Sequence, residues 1–162
     1  RRRKAEEQRR KAEEEAAERR RKAEEEAAER RREAELEAAN KKMCKNASIT
    51  VDRAVVLLVH DPSIDPYVKV TYRGPVNKNL TFQTTYEGHT ANPTWDHTET
   101  VVLCNKYAPM RFEMYDRNWW TDTLVAQAEL AASQLWKEDG FSHFLNFDGV
   151  EGMLHVSVTI QP

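Results

Sequence analysis

The chain is poor in the residues that would staple it, break it or carry it through a membrane. Its 162 residues include two cysteines, five glycines and six prolines. Two cysteines, Cys44 and Cys104, are too few for a small disulfide-stapled secreted scaffold, so the expectation is reduced thiols and an intracellular location. No apolar run approaches the ~18 residues of a membrane-spanning helix. Glycine, proline and β-branched residues are missing altogether from residues 1 to 43, and so is almost everything that could build a core. A basic globular half is missing too. Residues 1 to 43 carry 16 Lys and Arg against 13 Glu, whereas residues 44 to 162 carry 9 Lys and Arg against 14 Asp and Glu. The globular half is acidic, which excludes a nucleic-acid footprint. It also means that approach to an anionic bilayer calls for an intervening cation. The sequence opens at Arg1 rather than Met, which reads as a segment of a longer protein with any targeting signal outside it.

What is present divides into two parts, an arm at 1–43 and a domain at 44–162. In the arm, Arg-Arg-Lys-Ala-Glu-Glu-Glu-Ala-Ala-Glu-Arg starts at Arg9, recurs unchanged at Arg20, and returns in degraded form at Arg31, a period of eleven. Ala, Glu, Lys and Arg are strong helix formers, so the arm is predicted to be one uninterrupted helix about 60 Å long. Glu7 and Lys11, Glu15 and Arg19, Glu18 and Lys22, and Glu26 and Arg30 stand four apart with the acid first, each pair adding about 0.2–0.5 kcal/mol. Ala12, Ala16, Ala23, Ala27, Ala34 and Ala38 keep one face, but alanine buries little surface. A lone rod and a homodimeric coiled coil both fit this pattern.

From Ile49 onward the character changes to β-branched and aliphatic runs. Eight strands are predicted: Ile49 to Val59, Tyr67 to Tyr72, Leu80 to Tyr86, Thr98 to Cys104, Met110 to Tyr115, Thr123 to Leu130, Phe141 to Phe147 and Met153 to Ile160. A short helix is placed at Ala131 to Lys137. Turn-rich stretches such as Arg73-Gly74-Pro75 separate the strands, a spacing that favours a mainly β, eight-stranded antiparallel sandwich. The last strand alternates most cleanly, with Leu154, Val156, Val158 and Ile160 inward and His155, Ser157 and Thr159 toward solvent.

Three blocks carry a resemblance. Ile64-Asp65-Pro66-Tyr67-Val68-Lys69-Val70, Asn92-Pro93-Thr94-Trp95-Asp96, and Met110-Arg111-Phe112-Glu113-Met114-Tyr115-Asp116 with the Arg-Asn-Trp-Trp that follows, together resemble the C2 family of calcium- and phospholipid-binding β-sandwiches over about residues 47 to 161. The resemblance implies a candidate calcium site in the loops. Asp65 and Asp116 match the family's aspartates residue for residue. Asn118 stands where another aspartate is usual, keeping an oxygen and losing a charge, and Asp61 and Asp122 match if each loop is about two residues shorter. Calcium takes roughly 6–8 oxygen ligands, so such a site draws acids from several loops. Trp119 and Trp120, side by side in the third loop, are the candidate membrane or partner contact, because tryptophan favours both the bilayer headgroup level and interface hot spots. Lys69, Arg73 and Lys78 are spread out and form no compact basic cluster.

Catalysis has no foothold. His60, His89, His97, His143, His155 and Cys104 occupy no nucleophile or metal-ligand spacing, and His60 beside Asp61 is a strand-end histidine next to a turn acid. Two functions are therefore expected. One is a non-enzymatic targeting module on a helical rod that docks its loops on a phospholipid membrane surface, with calcium as the cofactor. The other is a calcium-independent protein-interaction domain of a coiled-coil cytoskeletal scaffold. Both imply a cytoplasmic, peripheral-membrane or cytoskeleton-associated protein.

Overall fold

The structure, a computed structural model, describes residues 2–57 and 63–161. The chain separates into two compact units, Arg1–Ala39 and Asn40–Pro162.

The described residues of the first unit are all helical, part of α1, which spans Arg2–Lys42. Its described side chains are all exposed, including Ala16, Ala23, Ala27, Ala34 and Ala38. A helix whose described side chains are all exposed depends on propensity and on its surface pairs. Three of the four predicted pairs form, Glu7 meeting Lys11 at 3.3 Å, Glu15 meeting Arg19 at 2.6 Å and Glu18 meeting Lys22 at 2.9 Å, whereas Glu26 and Arg30 make no such pair.

The second unit is a sandwich of two four-stranded antiparallel sheets. Its strands are β1 (Lys45–Val56), β2 (Pro66–Arg73), β3 (Asn79–Gln83), β4 (Thr94–Leu103), β5 (Met110–Asp116), β6 (Thr123–Leu130), β7 (Phe141–Asn146) and β8 (Gly152–Ile160), with the short helix α2 (Ala132–Leu135) between β6 and β7. One sheet has the order β4-β1-β8-β7 and the other β3-β2-β5-β6. All eight predicted strands and the short helix are present, with ends displaced by a few residues. Thr94 opens β4 because Pro93, which cannot donate to a ladder, closes the preceding turn.

Between the sheets lie Ile49, Val51, Val68, Val70, Met110, Phe112, Met114, Leu130, Leu154, Val156 and Val158, all fully buried. Each such side chain contributes about 1.5–3 kcal/mol over an exposed one. The alternation in β8 places Leu154, Val156 and Val158 in this layer, and Ile160 is partly buried at its edge. His155 points to the other face but is not free in solvent. Its ring meets Phe144 edge-on at 4.8 Å, and its Nδ1 lies 3.1 Å from Asp52 Oδ2, where a register shift in β1 between Val51 and Arg53 turns the aspartate toward β8.

The expectation of reduced thiols is overturned, because Cys44 and Cys104 form a disulfide. The reason is register. Lys45 pairs with Leu103 in the antiparallel β1–β4 ladder, so the residues one step beyond its end, 44 and 104, also face each other. A count of two cysteines argues against a framework of bridges but is silent about one pair at a ladder's end. The bridge closes a loop across 60 positions, for which loop-closure entropy gives a stabilisation of about 4 kcal/mol. Reduction, or Cys44→Ser, is expected to lower the denaturant midpoint of the β-domain correspondingly. Unfolding in thiol-titrating reagent without reductant is expected to reveal no free thiol. A thiol signal of two per chain would exclude the bridge.

Candidate functional site

Antiparallel pairing brings three connections to one pole of the sandwich. The link from β1 to β2, the link from β3 to β4 (84–93) and the link from β5 to β6 (117–122) all leave at the end where Pro66 is paired with Asp116. Trp95, in the Asn-Pro-Thr-Trp-Asp turn, is buried there and its indole N–H donates to the Pro66 carbonyl at 3.1 Å. Backbone bonds then pin the middle loop to the first: Glu87 N–H to Pro66 O at 3.0 Å and Thr90 N–H to Ile64 O at 2.9 Å.

Asp65 sits at the crossing. Its N–H donates to Asp116 Oδ1 at 2.8 Å, its carbonyl accepts the Arg117 N–H at 3.0 Å, and its own Oδ1 accepts the His89 N–H at 2.8 Å. His89 holds a positive φ of 53°, which aims that N–H at the carboxylate, and its ring Nδ1 stands 3.6 Å from the same oxygen. Asp122 is engaged through both oxygens, accepting the Tyr67 hydroxyl at 2.7 Å and the Asn118 N–H at 3.1 Å. The Asn118 amide donates to the Asp116 carbonyl at 3.3 Å and to Thr123 Oγ1 at 3.1 Å. Tyr67 is held in reach of Asp122 by stacking on Tyr115, ring centroids 5.6 Å apart.

These contacts set the ionisation. The Tyr67 hydroxyl, its bond to Asp122 foremost among the favourable contacts, the Asn118 N–H and the nearby Arg117 hold the Asp122 carboxyl below the usual range. Burial, reinforced by the carboxylate of Asp122, pushes Tyr67 up to about 12 from its ordinary 10.0.

The structure thus gathers Asp65, Asp116, Asn118 and Asp122 at one pole; Asp61, the fifth candidate, and His60 beside it lie outside the described residues. Calcium demands several oxygens turned toward one point. The carboxylates are instead turned onto the domain's own N–H and O–H groups, and among the described residues no three His, Cys, Asp or Glu side chains are grouped to hold a metal ion. Asp65 and Asp116 each accept through Oδ1, and Asp122 accepts through both oxygens. Trp119 and Trp120 stand 90 % and 91 % exposed at the tip of the third loop. Beside them the Arg117 guanidinium carbon lies 4.2 Å from the centroid of the Tyr86 ring.

Sequence reasoning missed Tyr67, Tyr86, His89 and Arg117. Arg117 was visible as a cation set between two acid positions of the third loop. The others act through contacts between loops that no linear pattern encodes.

A two-layered antiparallel sandwich whose loops converge at one pole, with exposed aromatic residues at the tip of one of them, is the architecture of a binding module. A family model described as the C2 domain matches residues 45–147, and the chain belongs to that family. No curated protein matches the chain. Similar solved structures include CC2D1B, described as coordinating ESRCT-III activity during the mitotic reformation of the nuclear envelope, at 23 % identity and a TM-score of 0.65, covering 72 % of this chain and 55 % of that one. This chain therefore spans about half the length of that relative. A C2 domain of a plant Extended Synaptotagmin 1 is similar at 21 % identity and a TM-score of 0.63, covering 73 % of this chain and 95 % of that chain. The calcium-bound pair of C2 domains of Extended-Synaptotagmin 2 is similar at 19 % identity and a TM-score of 0.59, covering 72 % of this chain and 45 % of that chain. At these identities the structures speak for the fold. The family membership makes the domain a membrane- or protein-binding module, of a kind that is in general non-catalytic.

The coupling of Tyr67 to Asp122 has a sign. A carboxyl lowered on folding stabilises the domain above the ordinary carboxylate range, and that contribution is lost as pH falls through the folded value. For Tyr67, raised on folding, the contribution is complete below pH 10.0 and is lost as pH climbs toward about 12. Tyr67→Phe is expected to return Asp122 toward its ordinary value in an NMR titration and to delete the most alkaline step of the phenolate absorbance curve. An unchanged Asp122 titration would count against the contact.

Proposed function

We propose that the chain is a non-catalytic targeting module whose β-domain docks on a phospholipid membrane surface through the pole carrying Trp119 and Trp120. The exposure of these two neighbouring indoles carries the reading. Large aromatics on a folded domain ordinarily cover its own core, and an indole pair left in water loses the apolar burial that a bilayer interface would give it. Tryptophan in particular settles at the headgroup level, where its apolar body and its N–H donor both find partners. The loop base is rigidly built, through Asp65, Asp116 and Asp122, so that ordering on docking costs little. The surrounding apolar surface agrees: Tyr86 in the 84–93 connection and Leu57 at the exit of β1, both at this pole, are exposed as well. No helix among the described residues is long and apolar enough to cross a membrane, so a docked chain would be held by loop contact.

Trp119→Ala and Trp120→Ala are each expected to weaken binding to phospholipid vesicles about tenfold, the equivalent of partial burial of one indole, and to leave the melting temperature unchanged. Wild-type tryptophan fluorescence is expected to shift to the blue on adding vesicles. Equal vesicle binding by the wild type and the double variant would remove the tryptophans from the docking surface.

A further inference from the structure

Charge is the obstacle to this docking. The domain is acidic, and a calcium ion is the simplest bridge between carboxylates and lipid phosphates. The three described aspartates at the pole, however, already face donors supplied by the chain: the Asp65 N–H on Asp116, the His89 N–H on Asp65, and the Tyr67 hydroxyl and Asn118 N–H on Asp122. The third loop also carries a cation of its own. Arg117 is exposed and its guanidinium lies over the Tyr86 ring at 4.2 Å. Asp65, Tyr86, Arg117, Asn118 and Trp119 line an open depression of about 450 Å³ directly beside the tryptophan tip.

We propose that this pole recognises the phosphate of anionic phospholipids through the Arg117 guanidinium, without a calcium ion. The inference rests on the docking reading above and adds the headgroup chemistry and the absence of calcium control. A planar guanidinium can meet two phosphate oxygens in parallel, which a lone ammonium cannot. The contact with Tyr86, 4.2 Å from the guanidinium carbon to the ring centroid, restricts the side chain, so less of its freedom is lost on binding. Indoles seated at headgroup level would bring the depression beside Trp119 against the phosphate layer. The carboxylates, turned inward onto N–H and O–H groups, serve as struts of the loop base rather than as ion ligands.

The test is co-sedimentation of the complete chain with vesicles of phosphatidylcholine mixed with phosphatidylserine, and with vesicles of phosphatidylcholine alone, each in chelator and in excess calcium. The mixed vesicles are expected to bind the wild type equally in both buffers and more tightly than phosphatidylcholine alone. Arg117→Gln is expected to lower binding to the mixed vesicles about fivefold, the share of one basic residue at an anionic surface. Arg117→Lys, which keeps the charge, is expected to fall between the two, and circular dichroism of both variants should match the wild type because the side chain is exposed. Binding that appears only on adding calcium, or an Arg117→Gln variant that binds like the wild type, overturns this inference and leaves the docking reading standing. Failure of the wild type to bind either vesicle in either buffer removes the docking reading and the inference with it.

Discussion

The backbone at Asp65 is the fixed point on which the loop pole depends. Its N–H, its carbonyl and its carboxylate are each joined to a different partner, Asp116, Arg117 and His89, so one residue ties together the connections between three pairs of strands. Two of these bonds end on a carboxylate, and such charge-assisted bonds are worth about 1.5–3 kcal/mol each. Pro66 follows immediately, and its ring restricts the backbone of the residue before it to extended conformations, which presents the Asp65 N–H to β5. One step further, Tyr67 inherits this placement. Its ring lies on Tyr115 and its hydroxyl reaches the far end of the third loop at Asp122. Without the Asp65 crossing, the third loop would keep its Tyr67–Asp122 and Arg117–Tyr86 contacts but lose the backbone bonds that join it to the first connection.

The fold was largely legible because its cause is periodic. Leu154, Val156 and Val158 alternate with polar residues since one face of β8 is buried, and a period of two written into the sequence needs no knowledge of the neighbouring strand. The arm was legible for a related reason, its propensity and charge spacing being local properties of a helix. Features that depend on pairing were not legible. The Cys44–Cys104 bridge follows from the register of β1 against β4, and the partly covered setting of His155 follows from the shift at Asp52 and from Phe144 on the adjacent strand. Neither register nor bulge has a signature in a single strand.

The same division holds at the site. Asp65 and Asp116 were legible because they sit inside linear motifs fixed by the strands beside them, β2 and β5, whose register then sets them together. That their oxygens face the chain's own donors was not legible, because it depends on a positive φ at His89, on the stacking of Tyr67 over Tyr115 and on the path of the third loop back to Asn118. A list of acids in a sequence counts charges. It does not tell which N–H and O–H groups of the chain each carboxylate accepts, and that depends on contacts between loops.

Net charge is a poor guide to what this pole meets at contact. The excess of acids over bases in residues 44 to 162 is felt by an anionic surface out to the Debye length, about 8 Å, and slows approach to it. At contact the local arrangement governs. There the carboxylates of Asp65, Asp116 and Asp122 have their field partly answered by oriented N–H and O–H dipoles and by Arg117, and beside them two indoles and a guanidinium are exposed. On the docking proposed above, such a surface would resist loose electrostatic accumulation at a membrane and reward close approach, because indole burial and guanidinium–phosphate pairing would arise only at contact.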